Sequence, residues 1–332
     1  MYRRILGFAF RVFISIGLLI FLFSRINMRN LSNHIQSMDH GFFALGILFF
    51  IFYLCTWALR WQLFISDTGI QVKYLHTLRT LLVGLAVSLF LPSAVGADVG
   101  RAYDMARTQV QKVAILSTVL MDRLIGLIAV VGMAVIAIII AGYQYLTLEI
   151  LLTIIGLALM MLASWIIFFN ILFMRRFRHI FENIPIINQF SGKIRDIYLA
   201  LYYLQRKRSL FITAITISII TVMLEILSVI MLSYAIGDRV DPVFFFLFLP
   251  IIWVILIIPI AIGGLGLRET VFVFFFSQVG MDTSHAVTIS LLYYSLYAVT
   301  GIISGTIPIT HNLYIRLKQI LNHNNPPISE KL

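Results

Sequence analysis

The chain has 332 residues, 61% of them hydrophobic and only 12% charged, and its mean hydropathy is +0.98. Soluble globular chains hold about 45–50% apolar and about 25% charged residues, so this excess excludes a water-soluble core and requires lipid as the solvent. A formal charge of +11 would suit a nucleic-acid binder, but the basic residues fall between apolar runs. There they set orientation and meet anionic headgroups, and nucleic acid is not expected as a partner.

The first apolar run, residues 5–23, follows Arg3 and Arg4. It is too long for a signal-peptide core and no small-x-small cleavage site follows it, so it reads as a membrane span. Further spans are predicted at 42–59, 113–141, 148–173, 210–236 and 286–308, each near or above the roughly 20 residues that cross a ~30 Å hydrocarbon core. Two shorter runs, 81–91 and 243–258, stop at proline. The single cysteine, Cys55, lies inside a span and allows no internal disulfide.

Lys and Arg placement gives the orientation. Arg175, Arg176, Arg178, Lys193, Arg195, Arg206, Lys207 and Arg208 mark a cytoplasmic segment, and Arg3, Arg4, Arg11, Arg316, Lys318 and Lys331 put both termini on the same side. Within the cytoplasmic segment, 190–206 has apolar residues at helical spacing and reads as an interfacial amphipathic helix. The turns at 142–147 and 237–242 are poor in Lys and Arg and face outside. The loop 61–78 and the segment 101–112 are both basic, so the run between them enters and leaves on the cytoplasmic side. The run 243–258 must dip from the opposite side. Residues 81–91 reach ~16 Å as helix, roughly half the bilayer. The expected fold is therefore all-α: one polytopic transmembrane domain over 1–332, about six full spans and two re-entrant helical hairpins. Its halves are 42–173 and 210–310, joined by an interfacial segment at 174–209.

The two breaks match each other. One reads Pro92-Ser93-Ala94-Val95-Gly96-Ala97-Asp98-Val99-Gly100-Arg101, and the other Pro259-Ile260-Ala261-Ile262-Gly263-Gly264-Leu265-Gly266-Leu267-Arg268-Glu269. Pro92/Pro259, Ala94/Ala261, Gly96/Gly263 and Arg101/Arg268 share the offset 259 − 92 = 167. Matching breaks in halves of opposite orientation are the sequence sign of an inverted-topology repeat whose broken helices meet at a binding site near the midplane. Pro92, Gly96, Gly100, Pro259, Gly263, Gly264 and Gly266 supply the breaks and hinges. Irregular backbone at that depth must line protein or a wet cavity. Helix N-termini there carry partial positive charge, and Arg101 and Arg268 add full charges suited to phosphate. Structural pairing of these arginines with Asp98 and Glu269 is the competing account.

Other polar residues give weaker signals. Asp122 and Arg123 stand near the start of a span, as an ion pair or as an interfacial arginine. Glu225 lies alone midway through a span and is costly there, so it is a functional candidate, protonated or paired with an arginine. Asp104 and Arg107, one helical turn apart, are expected to pair. Tyr293, Tyr294 and Tyr297 are candidates for lining a headgroup pocket, and His285 is read as an interfacial loop residue. No phosphate-binding loop, metal-ligand cluster or nucleophile elbow is present, so no cofactor or metal is expected.

The motifs Arg60-Trp61-Gln62-Leu63, Leu82-Val83-Gly84-Leu85, Leu91 to Arg101, Asp122-Arg123-Leu124-Ile125-Gly126-Leu127 and Pro259 to Glu269 resemble, in order, the lysylphosphatidylglycerol synthase transmembrane (flippase-like) family. Ala97 stands where the family pattern has a second glycine before the aspartate. The resemblance implies a lipid translocase moving a phospholipid or polyprenyl-phosphate-linked lipid between leaflets of the cell membrane. Asp98, Arg101, Asp122, Arg123, Glu225, Arg268 and Glu269 are the expected headgroup contacts. No lysyl-transferring domain is expected, hence no enzyme. The alternatives are an intramembrane group transferase using Asp98 or Glu269 as base, and a secondary transporter with Glu225 carrying a proton. A lipid-modifying enzyme and a second copy of the chain stand as candidate protein partners.

Overall fold

A computed structural model describes residues 36–89, 96–109, 111–141, 156, 207–256 and 266–324. The predicted span 5–23, the span 148–173 apart from residue 156, the amphipathic segment 190–206, and Pro92, Pro259, Gly263 and Gly264 lie outside the described residues.

Within the described residues the secondary structure is helical throughout, in eight helices: α1 (His40–Asp67), α2 (Tyr74–Ser88), α3 (Gly96–Thr108), α4 (Lys112–Ala141), α5 (Arg208–Ala235), α6 (Pro242–Ile255), α7 (Leu267–Ser277) and α8 (Thr283–Asn324). Four of them, α1, α4, α5 and α8, contain stretches long and apolar enough to cross a membrane. Their outer faces carry large apolar side chains such as Ile51 and Phe52 on α1 and Ile302 and Ile303 on α8, as a lipid-facing surface requires.

Local chemistry sets several boundaries. Asp39 caps α1, its Oδ1 accepting from Gly41 N at 2.7 Å and Phe42 N at 3.2 Å. Asp241 caps α6 in the same way, with Pro242 in the first turn where its missing N–H costs nothing. The expected loop 61–78 is mostly helix, because α1 continues to Asp67 and α2 begins at Tyr74. Arg60 does not end the span. Its charge is matched internally, and Trp61, Phe64 and Ile65 beyond it are fully buried.

The long pairing in the bundle is α1 against α5. It is fastened at three levels: Asp39 N donates to Ala235 O at 2.8 Å, Ser228 Oγ donates to Gly46 O at 2.8 Å, and Lys207 pairs with Asp67 at 2.7 Å. Helices α2 and α3 form a hairpin held by close backbone approach. A Cβ on Gly84 would fall 2.5 Å from Ala97 O, and one on Gly100 would fall 2.8 Å from Val87 Cβ. Small residues let membrane helices come this near. Helices α6 and α7 form a second hairpin, packed through aromatic rings: Phe245 and Phe276 centroids are 4.7 Å apart, and Phe248 and Phe275 are 5.4 Å apart. Helix α2 leans on α8, and α6 leans on α4.

Candidate functional site

Where the two hairpins approach α1, α4, α5 and α8 they leave a cavity of about 310 Å³. Its lining brings together most of the polar residues that the sequence singles out: Asp98 and Arg101 from α3, Asp122 and Arg123 from α4, Glu225 from α5, and Arg268 from α7. Tyr293, Tyr294 and Tyr297 of α8 line it too, with apolar walls from residues such as Leu85, Leu127 and Val254.

The charges at one end form a lattice. Asp122, wholly buried, accepts from Arg60 Nε at 2.5 Å and from Trp57 Nε1 at 3.0 Å, and it pairs with Arg101 Nη2 at 2.8 Å. Asp98 holds Arg101 through one oxygen at 2.7 Å and Arg123 through the other at 2.7 Å. Arg60 also donates to Ser218 Oγ of α5 at 3.1 Å. Its guanidinium lies against Gly126, where a Cβ would come within 3.2 Å of two of its nitrogens. The Arg101 guanidinium stands 4.7 Å from the centroid of the Trp61 ring and 5.4 Å from that of Trp57, where the negative faces of the rings favour a cation. Alternating charge of this kind is what allows buried ions to persist. One donor is left over: Arg101 Nη1 is buried without a hydrogen-bond partner among the described residues.

The second hairpin handles its charges locally. Gly266, with φ +81°, sits just before α7 in a conformation that L side chains rarely adopt. Glu269 Oε2 accepts from Gly266 N at 2.6 Å, while its Oε1 takes Arg268 Nη2 at 2.9 Å and Ser290 Oγ at 3.4 Å. Glu269 therefore orients its neighbour and closes the helix N-terminus. Arg268 lies 4.1 Å from the Tyr294 ring centroid. Glu225 accepts from Tyr293 OH and, at 2.7 Å, from Tyr297 OH, both on Oε1, and Tyr297 OH contacts Tyr53 OH at 3.0 Å.

Several sequence expectations change. Asp122 and Arg123 do not pair with each other, because helical geometry points adjacent residues to different neighbours; each finds its partner on another helix. Asp104 accepts from Thr80 Oγ1 at 3.2 Å instead of pairing with Arg107, whose guanidinium lies over the Tyr103 ring. Among the described residues Glu225 forms no ion pair with an arginine; tyrosine hydroxyls hold it. His285 is in the first turn of α8, with Nδ1 2.8 Å from Asp238 Oδ2. The pairings Arg101–Asp98 and Arg268–Glu269 are present as the competing account expects. Gly96 opens α3, and Gly100 packs on α2.

Arg60, Trp57 and Tyr53 were not singled out as site residues. Arg60 looked like the end of a span. The signal available was an arginine lying between two tryptophans four residues apart, Trp57 and Trp61. Among the described residues no group of His, Cys, Asp and Glu side chains could hold a metal ion.

No curated protein matches the chain. The family described as the lysylphosphatidylglycerol synthase TM region matches residues 8–305, nearly the whole sequence. The protein is thus a membrane protein that belongs to the lysylphosphatidylglycerol synthase TM region family.

Proposed function

We propose that the chain is a lipid translocase in which the phosphate of a phospholipid or polyprenyl-phosphate-linked lipid enters the cavity between the hairpins while its tails stay in the bilayer. The observation that carries this reading is a cavity lined by Arg101, whose buried Nη1 has no hydrogen-bond partner among the described residues, and by Arg268 from the other hairpin. A buried guanidinium donor without a partner costs about 1–3 kcal/mol, more for a charged group, and a phosphate oxygen would remove that cost. The apolar lining suits the glycerol and upper chain region. On this reading the lining residues bind and orient a headgroup and no covalent step is required, so the chain is not an enzyme.

The same reading takes the architecture as an inverted repeat of two halves, 42–173 and 210–310, in one cell-membrane domain with both termini cytoplasmic. The packing supports it. Pairings α1–α2, α3–α4, α1–α4 and α2–α8 are answered by α5–α6, α7–α8, α5–α8 and α6–α4. The helix starts agree as well: 208 − 40 and 242 − 74 are both 168. The hairpins α2–α3 and α6–α7 are the two re-entrant units.

The test is transbilayer movement of fluorescent phosphatidylglycerol in proteoliposomes. Arg101→Lys keeps the charge and loses the fork, and Arg268→Ala removes the second cation. In variants that elute and melt like the parent, we expect movement to slow roughly 10- to 100-fold, the worth of a charge-assisted hydrogen bond of about 1.5–3 kcal/mol. Unchanged movement in both folded variants refutes the assignment.

A further inference from the structure

Among the described residues Glu225 is the one carboxylate of the cavity that no cation holds. It is nearly buried on α5, and both of its hydrogen bonds, from Tyr293 and Tyr297, fall on Oε1. Oε2 has no hydrogen-bond partner among the described residues. The groups facing it come from three of the four helices packed on α5. Helix α8 brings Tyr293 and Tyr297, and α1 brings Tyr53 behind Tyr297, together with Arg60, whose field reaches Glu225 but whose hydrogen bonds go to Asp122 and Ser218. Helix α4 places Asp122 and Arg123 on the same cavity, and α6 has no titratable side chain at all. Arg268 of α7 completes the charged lining, already bonded to Glu269.

The charges of this set balance. Among the described residues Arg60, Arg101, Arg123 and Arg268 stand against Asp98, Asp122, Glu225 and Glu269. An uncompensated charge in a low-dielectric site is expensive, and more so within a membrane. A headgroup phosphate that satisfies Arg101 Nη1 brings one negative charge into a set that is neutral without it. Three of the four acids are fixed by arginines and cannot easily neutralise; Glu225, with its free Oε2, can.

Resting on the lipid-phosphate reading above, we infer that Glu225 takes up a proton on Oε2 when an anionic headgroup occupies the cavity and releases it when the headgroup leaves. Lipid and proton are then bound together, and the loaded cavity is electroneutral. Binding linkage is reciprocal, so each favours the other by the same factor. A proton gradient supplies the driving force and moves the headgroup from the acidic toward the alkaline side. The tyrosine hydroxyls keep Oε1 bonded in both states, which leaves Oε2 as the exchanging atom.

The experiment measures proton uptake in weakly buffered detergent solution as dihexanoyl phosphatidylglycerol is added to the purified full chain, across about pH 5 to 9. Wild type is expected to bind the lipid and take up as much as about one proton per lipid at some pH in that range. Glu225→Gln, nearly isosteric and still able to accept from both tyrosines, is expected to bind with no uptake, and Glu225→Asp to restore it. If wild type binds, and loses binding on Arg101→Lys, yet takes up no proton, the coupling is overturned while the lipid reading stands. The same holds if Glu225→Gln takes up as much as wild type. Preference for dihexanoyl phosphatidylethanolamine that Glu225→Gln abolishes, without proton uptake, also overturns it by assigning Oε2 to an ammonium group. Absence of binding that depends on Arg101 overturns the lipid reading and the coupling with it.

Discussion

The two hairpins occupy matching places in the chain but are secured by different physics. The α2–α3 hairpin is locked by direction-dependent contacts: backbone touching backbone at Gly84 and Gly100, and ion pairs that run from α3 to α4 and through Asp122 to α1. The α6–α7 hairpin is held by tilted and edge-on phenylalanines, and its charged pair is made of adjacent residues. Dispersion and ring packing tolerate small rotations, whereas short ion pairs and Cβ-free contacts do not. The first hairpin is therefore the fixed wall of the cavity and the second is the compliant one.

That contrast can be broken most sharply at Asp122. Asp122→Ala strands the buried Arg60 and Arg101 guanidiniums and is expected to cost about 3–5 kcal/mol, seen as a large drop in the thermal unfolding midpoint in detergent. A drop no larger than that of an exposed α1 substitution would mean the lattice does not secure the wall. Next in size is Gly84→Ala, whose new Cβ must push against the Ala97 carbonyl; overpacking of this kind costs about 1–3 kcal/mol. The same melting experiment, joined by cross-linking between α2 and α3, should show the hairpin spread, and an unshifted midpoint would count against close approach. The smallest effect is expected in the second hairpin. Phe272→Leu, a fully buried position, should cost under about 1.5 kcal/mol because its apolar surroundings can repack. A loss there as large as at Asp122 would erase the distinction between the two walls.

The same division separates what was legible in the sequence. Spans α1, α4, α5 and α8 follow from uninterrupted apolar runs, and the two shorter runs that stop at proline coincide in part with α2 and α6. Arg101 and Asp98 stand one helical turn apart, so their pairing follows from helix geometry; Arg268 and Glu269 are adjacent in sequence, and chain proximity alone suggests that pair. Asp122 with Arg60 could not, since its partner lies 62 residues away and no local rule selects it. For the same reason the sequence places a span end just before Arg60, whereas the helix runs on to Asp67. Glu225 announced itself as an acid in an apolar span, but the two tyrosines bonded to it come from α8, 68 and 72 residues later.

The α1–α5 pairing has a consequence for movement. Its fastenings at Asp39–Ala235, Gly46–Ser228 and Asp67–Lys207 lie near one end, one to two turns in, and at the other end of two 28-residue helices, each ~42 Å long. Sliding one helix along the other by a single turn would break all three at once. Turning the two halves about this line, as covers turn about the spine of a book, strains each contact only slightly. On the proposed translocase reading, this geometry disfavours an elevator-like excursion of one half and favours a rocking of the hairpins around a stationary spine.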